Sequence, residues 1–270
     1  MKIAFIGGGN MATALIGGLI AQGTKRGSLS VVELLPAARQ KLVARCKVHA
    51  SAAADARTAS ADTLVLAVKP QDMRAAAAPL AGVASGKLVI SIAAGIRLAD
   101  LSRWLGGNRR LIRCMPNTPA LIGSGVSGLY ALPGVSAAEK RRAERILGAV
   151  GKVIWVKEET LLDPVTAVSG SGPAYVFWFI EQLAIAGESL GLPAEDSRIL
   201  ALETVLGSAR LAAHSKAPVA VLRERVTSKG GTTEAALKVF DEENLAERFK
   251  RAIEAAKRRG AELGEELGKD

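Results

Sequence analysis

A doubly wound α/β unit followed by an all-helical one is predicted by three observations. Across residues 1–160, short β-branched or apolar runs of strand length alternate with Ala-rich, helix-prone stretches. That alternation requires right-handed crossovers and a mostly parallel sheet with helices on both faces. Beyond about residue 160 the strand signal stops, and Pro and Gly punctuate helical stretches only. The expected organisation is therefore a domain over 1–160 and a helical domain over 161–270, in a chain of 270 residues whose apolar and charged fractions, 49 % and 23 %, are those of a globular protein.

The elements follow in order. Strands are expected at 2–6, 29–33, 63–68, 87–93, 109–115 and 152–156, each a stretch of strand length rich in apolar or β-branched residues. Helices are expected between them at 10–22, 37–45, 71–80, 98–105 and 137–150. In the second part Pro173 opens a helix that Gly191 closes, Pro193 and Pro218 open two more, and two others start near Thr233 and Glu243. The stretch 174–185 is apolar almost all round, so it asks for burial on every side. Two arrangements satisfy it: a homo-oligomer whose helical units pack together, or burial between the domains of one chain.

Composition excludes several classes. The most apolar stretch is interrupted by Glu181 and Gln182, so no membrane span is expected. The start lacks the features of an export signal, and Cys46 and Cys114 are too few for a disulfide framework, so a cytoplasmic protein with reduced cysteines is expected. With only His49 and His214 no metal pattern forms, and no metal is expected. The net charge of +10 invites a nucleic-acid reading, but its distribution is uneven: residues 1–160 hold 22 Lys and Arg against 9 Asp and Glu, and residues 161–270 hold 14 against 17. Aromatic content is 4 %, too little for stacking platforms, and no nucleic-acid partner is expected.

The first strand runs directly into Gly7-Gly8-Gly9-Asn10-Met11-Ala12 and a helix. This fits the G-x-G-x-x-A fingerprint of a Rossmann-type dinucleotide site: Gly7 for the tight turn, Gly9 for close approach of a pyrophosphate, Ala12 for helix–sheet packing. Glu33 lies 21 residues beyond Ala12, where an acidic residue accepts hydrogen bonds from the ribose of NAD. This tilts the reading toward NADH, with Arg39 the nearest cation able to reverse it, and the cofactor is read as NADPH or NADH. A second turn, Ala67-Val68-Lys69-Pro70, ends another strand at the same edge.

The helical part offers no obvious proton donor. There is no Lys between Lys157 and Lys216, and His214, beside Ser215 at an apparent helix end, suits the helix C-terminus better than catalysis. Two segments stand out instead: 169–174, Ser-Gly-Ser-Gly-Pro-Ala, and 227–234, Thr-Ser-Lys-Gly-Gly-Thr-Thr-Glu. In the second, glycine N–H groups ahead of a helix form an anion site that a carboxylate fits as well as a phosphate. The alternative is that Thr232 or Thr233 only caps the helix.

Six motifs occur in order: 5–11, Phe-Ile-Gly-Gly-Gly-Asn-Met; 67–70, Ala-Val-Lys-Pro; 91–95, Ser-Ile-Ala-Ala-Gly; 113–119, Arg-Cys-Met-Pro-Asn-Thr-Pro; 169–175, Ser-Gly-Ser-Gly-Pro-Ala-Tyr; and 228–233, Ser-Lys-Gly-Gly-Thr-Thr. Together they resemble the pyrroline-5-carboxylate reductase family over nearly the whole chain. The resemblance implies reduction of 1-pyrroline-5-carboxylate to L-proline with NADPH or NADH, the last step of proline biosynthesis. It also implies a Rossmann domain and a helical dimerisation domain, in a homodimer or assembly of dimers. On the family pattern Gly231, Thr232 and Thr233 hold the substrate carboxylate, Thr233 faces the ring nitrogen, Ser228 shares the loop, and Glu159 belongs to the substrate region. Ile6, Gly7, Gly8, Gly9, Asn10, Met11, Ala67, Val68, Lys69 and Pro70 line the cofactor, with Ala93, Ala94, Gly95 and Asn117 beside the nicotinamide. Glu33-Leu34-Leu35 departs from the small, polar or basic residues common in NADPH-preferring members. A cyclic imine that arrives protonated or takes a proton from water needs no strong acid, which accounts for the missing Lys.

Two rivals remain. A 3-hydroxyacid dehydrogenase-type or other imine reductase shares the glycine turn, but the former uses a Lys on an early helix of the second domain. A nucleotide-sensing or RNA-binding protein is motivated only by the basic first part.

Overall fold

The computed structural model describes residues 1–269. Two compact units are formed: 1–171 together with 256–269, and Gly172–Ala255. The first unit is thus completed by the far end of the chain.

Eight strands among the described residues build the sheet of the first unit: β1 (Ile3–Ile6), β2 (Leu29–Val32), β3 (His49–Ser51), β4 (Thr63–Leu66), β5 (Leu88–Ser91), β6 (Leu111–Met115), β7 (Gly125–Ala131) and β8 (Gly151–Trp155). Their order is β3-β2-β1-β4-β5-β6-β7-β8, so the winding reverses between β1 and β4. All pairs are parallel except β6 with β7, where Cys114 faces Leu129 antiparallel.

Helices α1 (Asn10–Ala21), α2 (Pro36–Cys46), α3 (Ala56–Ala59), α4 (Met73–Ala77), α5 (Ala81–Ala84), α6 (Leu98–Trp104), α7 (Ala137–Leu147) and α8 (Leu162–Val165) connect the strands and lead out of the sheet. Strand alternation sorts the core into two layers. Ile3 and Phe5 of β1 join Leu15, Ile16, Leu19, Leu42 and Ile146, while Ala4 and Ile6 join Leu64, Leu66, Met73, Leu98 and Leu101. A strand covered on both faces has no polar side to present, which is why β1, β2, β4 and β5 are buried at every position. Each such Leu, Ile or Phe contributes about 1.5–3 kcal/mol of burial.

The observed elements differ from the sequence expectation at identifiable places. The stretch 71–80 is not one helix but a 3₁₀ turn (Pro70–Asp72), α4 and a second 3₁₀ turn (Ala78–Leu80), because Pro79 cannot supply the N–H that a continuous helix needs. Strands β3 and β7 carry weak signals. The former has three residues, and the latter contains Gly125 and Gly128, which read as loop formers. In fact a Cβ at Gly128 would lie 2.7 Å from Val165 Cγ1, so the glycine lets α8 approach the strand.

The second unit holds α9 (Gly172–Ser189), α10 (Ala194–His214), α11 (Val219–Arg225), α12 (Thr232–Glu242) and the first part of α13 (Leu245–Gly268). Tyr175 meets Phe249 edge to face with ring centroids 6.2 Å apart. None of the described residues of α9 is buried, and Phe177 and Trp178 are 65 % and 58 % exposed. Within its own unit, α9 therefore leaves apolar side chains uncovered. Among the described residues no helix is long and apolar enough to cross a membrane, and no cluster of His, Cys, Asp and Glu could hold a metal ion.

Candidate active site

The site is built at the carboxyl ends of the parallel strands, where the reversal between β1 and β4 opens a crevice. After Ile6 the chain turns at Gly7, whose φ is +98° and where a Cβ would lie 2.6 Å from the Ala67 carbonyl oxygen. Only glycine fits both constraints. The Ala67 N–H donates to the Ile6 carbonyl at 2.7 Å, so the turns after β1 and β4 are joined directly. Gly9 is the N-cap of α1, with no side-chain cap among the described residues, and a Cβ there would meet none of their atoms within 4 Å. The first turn of α1 thus presents N–H groups to open space, the arrangement that receives a pyrophosphate. Ala12 is fully buried beneath it.

Glu33 follows β2 and reaches back to the glycines, its Oε2 accepting the Gly8 N–H at 2.8 Å. Beyond Val68 the exposed Lys69 precedes Pro70, which opens the 3₁₀ turn. After β5 the chain passes through buried Ala93, half-buried Ala94 and Gly95 at φ +80°. Gly95 lies against α13, 3.6 Å from the Gly264 nitrogen by its Cβ direction. Asn117 follows β6; its Oδ1 accepts the Val126 N–H at 2.9 Å and its Nδ2 donates to Ser169 Oγ at 3.3 Å. Ser169 sits in a π-helical turn (Thr166–Gly170), a local widening common at functional sites. The first unit therefore gathers Ile6–Met11, Glu33, Ala67–Pro70, Ala93–Gly95 and Asn117 at one sheet edge.

Glu159 has a different setting. Its Oε1 accepts the Leu98 N–H at 2.8 Å and Arg113 Nη1 at 3.2 Å, at the start of α6. Arg113 also approaches Asp163 at 3.6 Å, and Asp163 binds Arg97 Nη2 at 2.7 Å. Burial pulls the Arg113 guanidinium below its ordinary range, and the carboxylate of Glu159 opposes that pull. This four-residue charge cluster, just past the Ala93–Gly95 turn, was not apparent in the sequence. Its one visible signal was a charged residue inside the apolar run of β6.

In the second unit Ser228, Gly231, Thr232 and Thr233 form the entry to α12. Gly230 has φ +71° and donates its N–H to Glu234 Oε2 at 2.6 Å, and Gly231 is an N-cap with no side-chain cap among the described residues. The simpler alternative, a Thr232 or Thr233 side chain capping the helix, is not what the structure has. The backbone donors of the first turn remain for an anion. His214 ends α10, its Nδ1 paired with the Arg210 carbonyl at 2.8 Å, and Cys114 is buried with its thiol pushed up to about 12 by desolvation.

Comparison with known proteins matches residues 159–263 to the model described as pyrroline-5-carboxylate reductase dimerisation, and residues 2–95 to NADP oxidoreductase coenzyme F420-dependent. The pyrroline-5-carboxylate reductase of Pseudomonas aeruginosa is 46 % identical over 268 residues, covering 99 % of this chain and 98 % of that protein. The chain belongs to the pyrroline-5-carboxylate reductase family. The fold agrees with that of the pyrroline-5-carboxylate reductase from Coxiella burnetii at TM-score 0.92, 42 % identity and coverage of 97 % and 98 % of the two chains. The pyrroline carboxylate reductase of Plasmodium falciparum, solved with NADP bound, matches at TM-score 0.86 and 29 % identity over 98 % of each chain. Family membership fits an N-terminal Rossmann-type sheet followed by a helical dimerisation domain. The 3-hydroxyacid dehydrogenase-type rival loses its ground.

Proposed function

We propose that this chain reduces 1-pyrroline-5-carboxylate to L-proline, using NADPH or NADH as the hydride donor. The observation that carries the proposal is the uncapped glycine turn at the β1–β4 crevice, in a chain of this family. The residues present fit a dinucleotide: Gly7 admits the tight turn, Gly9 leaves open space, and the α1 N-terminus supplies donors to a pyrophosphate. When bound, the dinucleotide supplies the hydride.

The chain's own residues bind and orient. Gly231, Thr232 and Thr233 hold the substrate carboxylate through the N-terminal donors of α12, Ser228 completes the loop, and the Thr233 hydroxyl orients the ring nitrogen. Asn117 and Ala93–Gly95 border the nicotinamide, while Ile6–Met11, Ala67–Pro70 and Glu33 border the rest of the cofactor. Glu159, a candidate for the substrate region, acts through the charge cluster that fixes the start of α6. Residues 1–160 then serve as the cofactor domain and 161–270 as the substrate-binding and dimerisation domain. The exposed apolar surface of α9 and the match of residues 159–263 to a dimerisation model support a homodimer, or an assembly of dimers.

Oxidation of NADH and NADPH is to be followed with 1-pyrroline-5-carboxylate, against a 3-hydroxyacid with NAD(P)⁺ as control. Proline formation with the imine is expected; turnover only in the control sinks the proposal.

A further inference from the structure

We infer that Glu33 makes this chain prefer NADH to NADPH, by fixing a carboxylate beside the ribose 2′ position. This rests on the reading of the Gly7–Met11 turn as the dinucleotide site, and adds to it the identity of the adenosine end. The preference is inferred for this chain's own residues: the Plasmodium falciparum relative was solved with NADP bound, and the model matched over residues 2–95 is described as an NADP oxidoreductase.

Glu33 is held at four points. Its N–H donates to the Ser51 carbonyl at 2.9 Å and its carbonyl accepts Arg39 Nη1 at 2.6 Å. On the side chain, Oε2 accepts the Gly8 N–H at 2.8 Å and Oε1 accepts the Leu35 N–H at 2.9 Å. The fit is close: a Cβ on Gly8 would lie 3.3 Å from Glu33 Oε2 and 3.0 Å from Leu42 Cδ1. A carboxylate so anchored does not swing aside without giving up two backbone donors.

The chemistry of the two cofactors differs only at that position. A ribose 2′-hydroxyl donates to a carboxylate, whereas a 2′-phosphate has no donor when fully ionised and brings like charge against it. Phosphate-accepting turns place an arginine nearby. Here the nearest candidate, Arg39, is turned onto the chain, its Nη1 also bonding the Leu34 carbonyl at 2.9 Å. The residues that follow Glu33, Leu34 and Leu35, are apolar and 76 % and 66 % exposed, and their side chains carry no donor for a phosphate.

The test compares kcat/KM for NADH and NADPH in the wild type and in Glu33→Gln, which keeps the size of the side chain and removes its charge. The wild type is expected to favour NADH by about tenfold or more, and the variant to lose at least about tenfold of that ratio. Because Glu33→Gln also disturbs the glycine turn, competitive inhibition of the wild type by ADP-ribose and by 2′-phospho-ADP-ribose gives a second measurement, with ADP-ribose expected to bind tighter. Equal or better use of NADPH by the wild type, tighter binding of the phosphorylated inhibitor, or an unchanged ratio in a folded variant overturns the inference. Tighter binding of the phosphorylated inhibitor would point to Arg39 as a phosphate reader. Proline formation with both cofactors alike would leave the proposed activity standing while removing this preference; binding of neither dinucleotide would remove both.

Discussion

Thr233 stands in the first turn of α12, where its neighbours' N–H groups have no side-chain cap among the described residues and its hydroxyl is the only proton-bearing group the proposal assigns to the ring nitrogen. Thr233→Ala is expected to lower kcat/KM about tenfold or more, a loss of at least ~1.4 kcal/mol, with Thr233→Ser recovering most of it. An unchanged steady-state value for the Ala variant would remove Thr233 from the mechanism. Asp55 offers a pH signature away from the site. Burial raises its pKa, but hydrogen bonds from the Thr58 backbone, from the His49 ring and from the Thr58 hydroxyl, with the His49 charge, outweigh burial and leave it at about 2, below its ordinary 3.8. A depressed carboxylate stabilises the fold fully above its unfolded pKa, and that contribution is lost as pH falls through the folded value. Asp55→Asn is therefore expected to cost about 1 kcal/mol near neutrality, with the gap closing between pH ~4 and pH ~2 in urea titrations. At this scale the sequence was legible where a residue's job depends on its neighbours in the chain, as for Gly7. It was not legible for Glu159, whose partners Leu98 and Arg113 lie 61 and 46 positions away.

Strands β1, β2, β4 and β5 were readable because full burial leaves a mostly apolar run, with only the small hydroxyls Ser30, Thr63 and Ser91 admitted, and α9 to α12 because Pro or Gly marks their starts. What escaped was β7, whose glycines answer to α8 and to the 118–122 turn rather than to strand propensity. Tertiary approach, not local preference, decides such positions. Two adjacent glycines of α1 make the distinction measurable. A Cβ on exposed Gly17 would meet none of the described atoms within 4 Å, so Gly17→Ala should stabilise the protein by about 0.5–1 kcal/mol by restricting the unfolded chain. On Gly18 the same atom would run into the Ala149 carbonyl oxygen, and Gly18→Ala should destabilise by about 1–3 kcal/mol. Denaturant midpoints moving in the same direction for both would contradict the packing of α1 against this turn.

For the molecule as a whole, the contrast is between a sheet unit with two filled core layers and a helical unit in which Ala201 is the one buried hydrophobic among the described residues of Gly172–Ala255. Helices without a core of their own derive stability from a partner. The apparent Tm should therefore rise with protein concentration, and Trp178→Asp should shift sedimentation toward a monomer with loss of activity; a variant that stays associated and active would place the interface elsewhere. The uneven charge fits the same division, since the basic surplus lies in the part read as binding an anionic dinucleotide.

The return of α13 to the first unit also sets a timetable. The Gly95 turn receives Gly264, and the second core layer receives Leu267, only after residues 172–255 have been made. At about 5–20 residues per second that is a delay of roughly 4–17 s. During that interval on the ribosome, the turn read as bordering the nicotinamide exists without its last wall, so a nascent chain would be expected to acquire its full dinucleotide affinity late, after the helical part is already available to meet another copy.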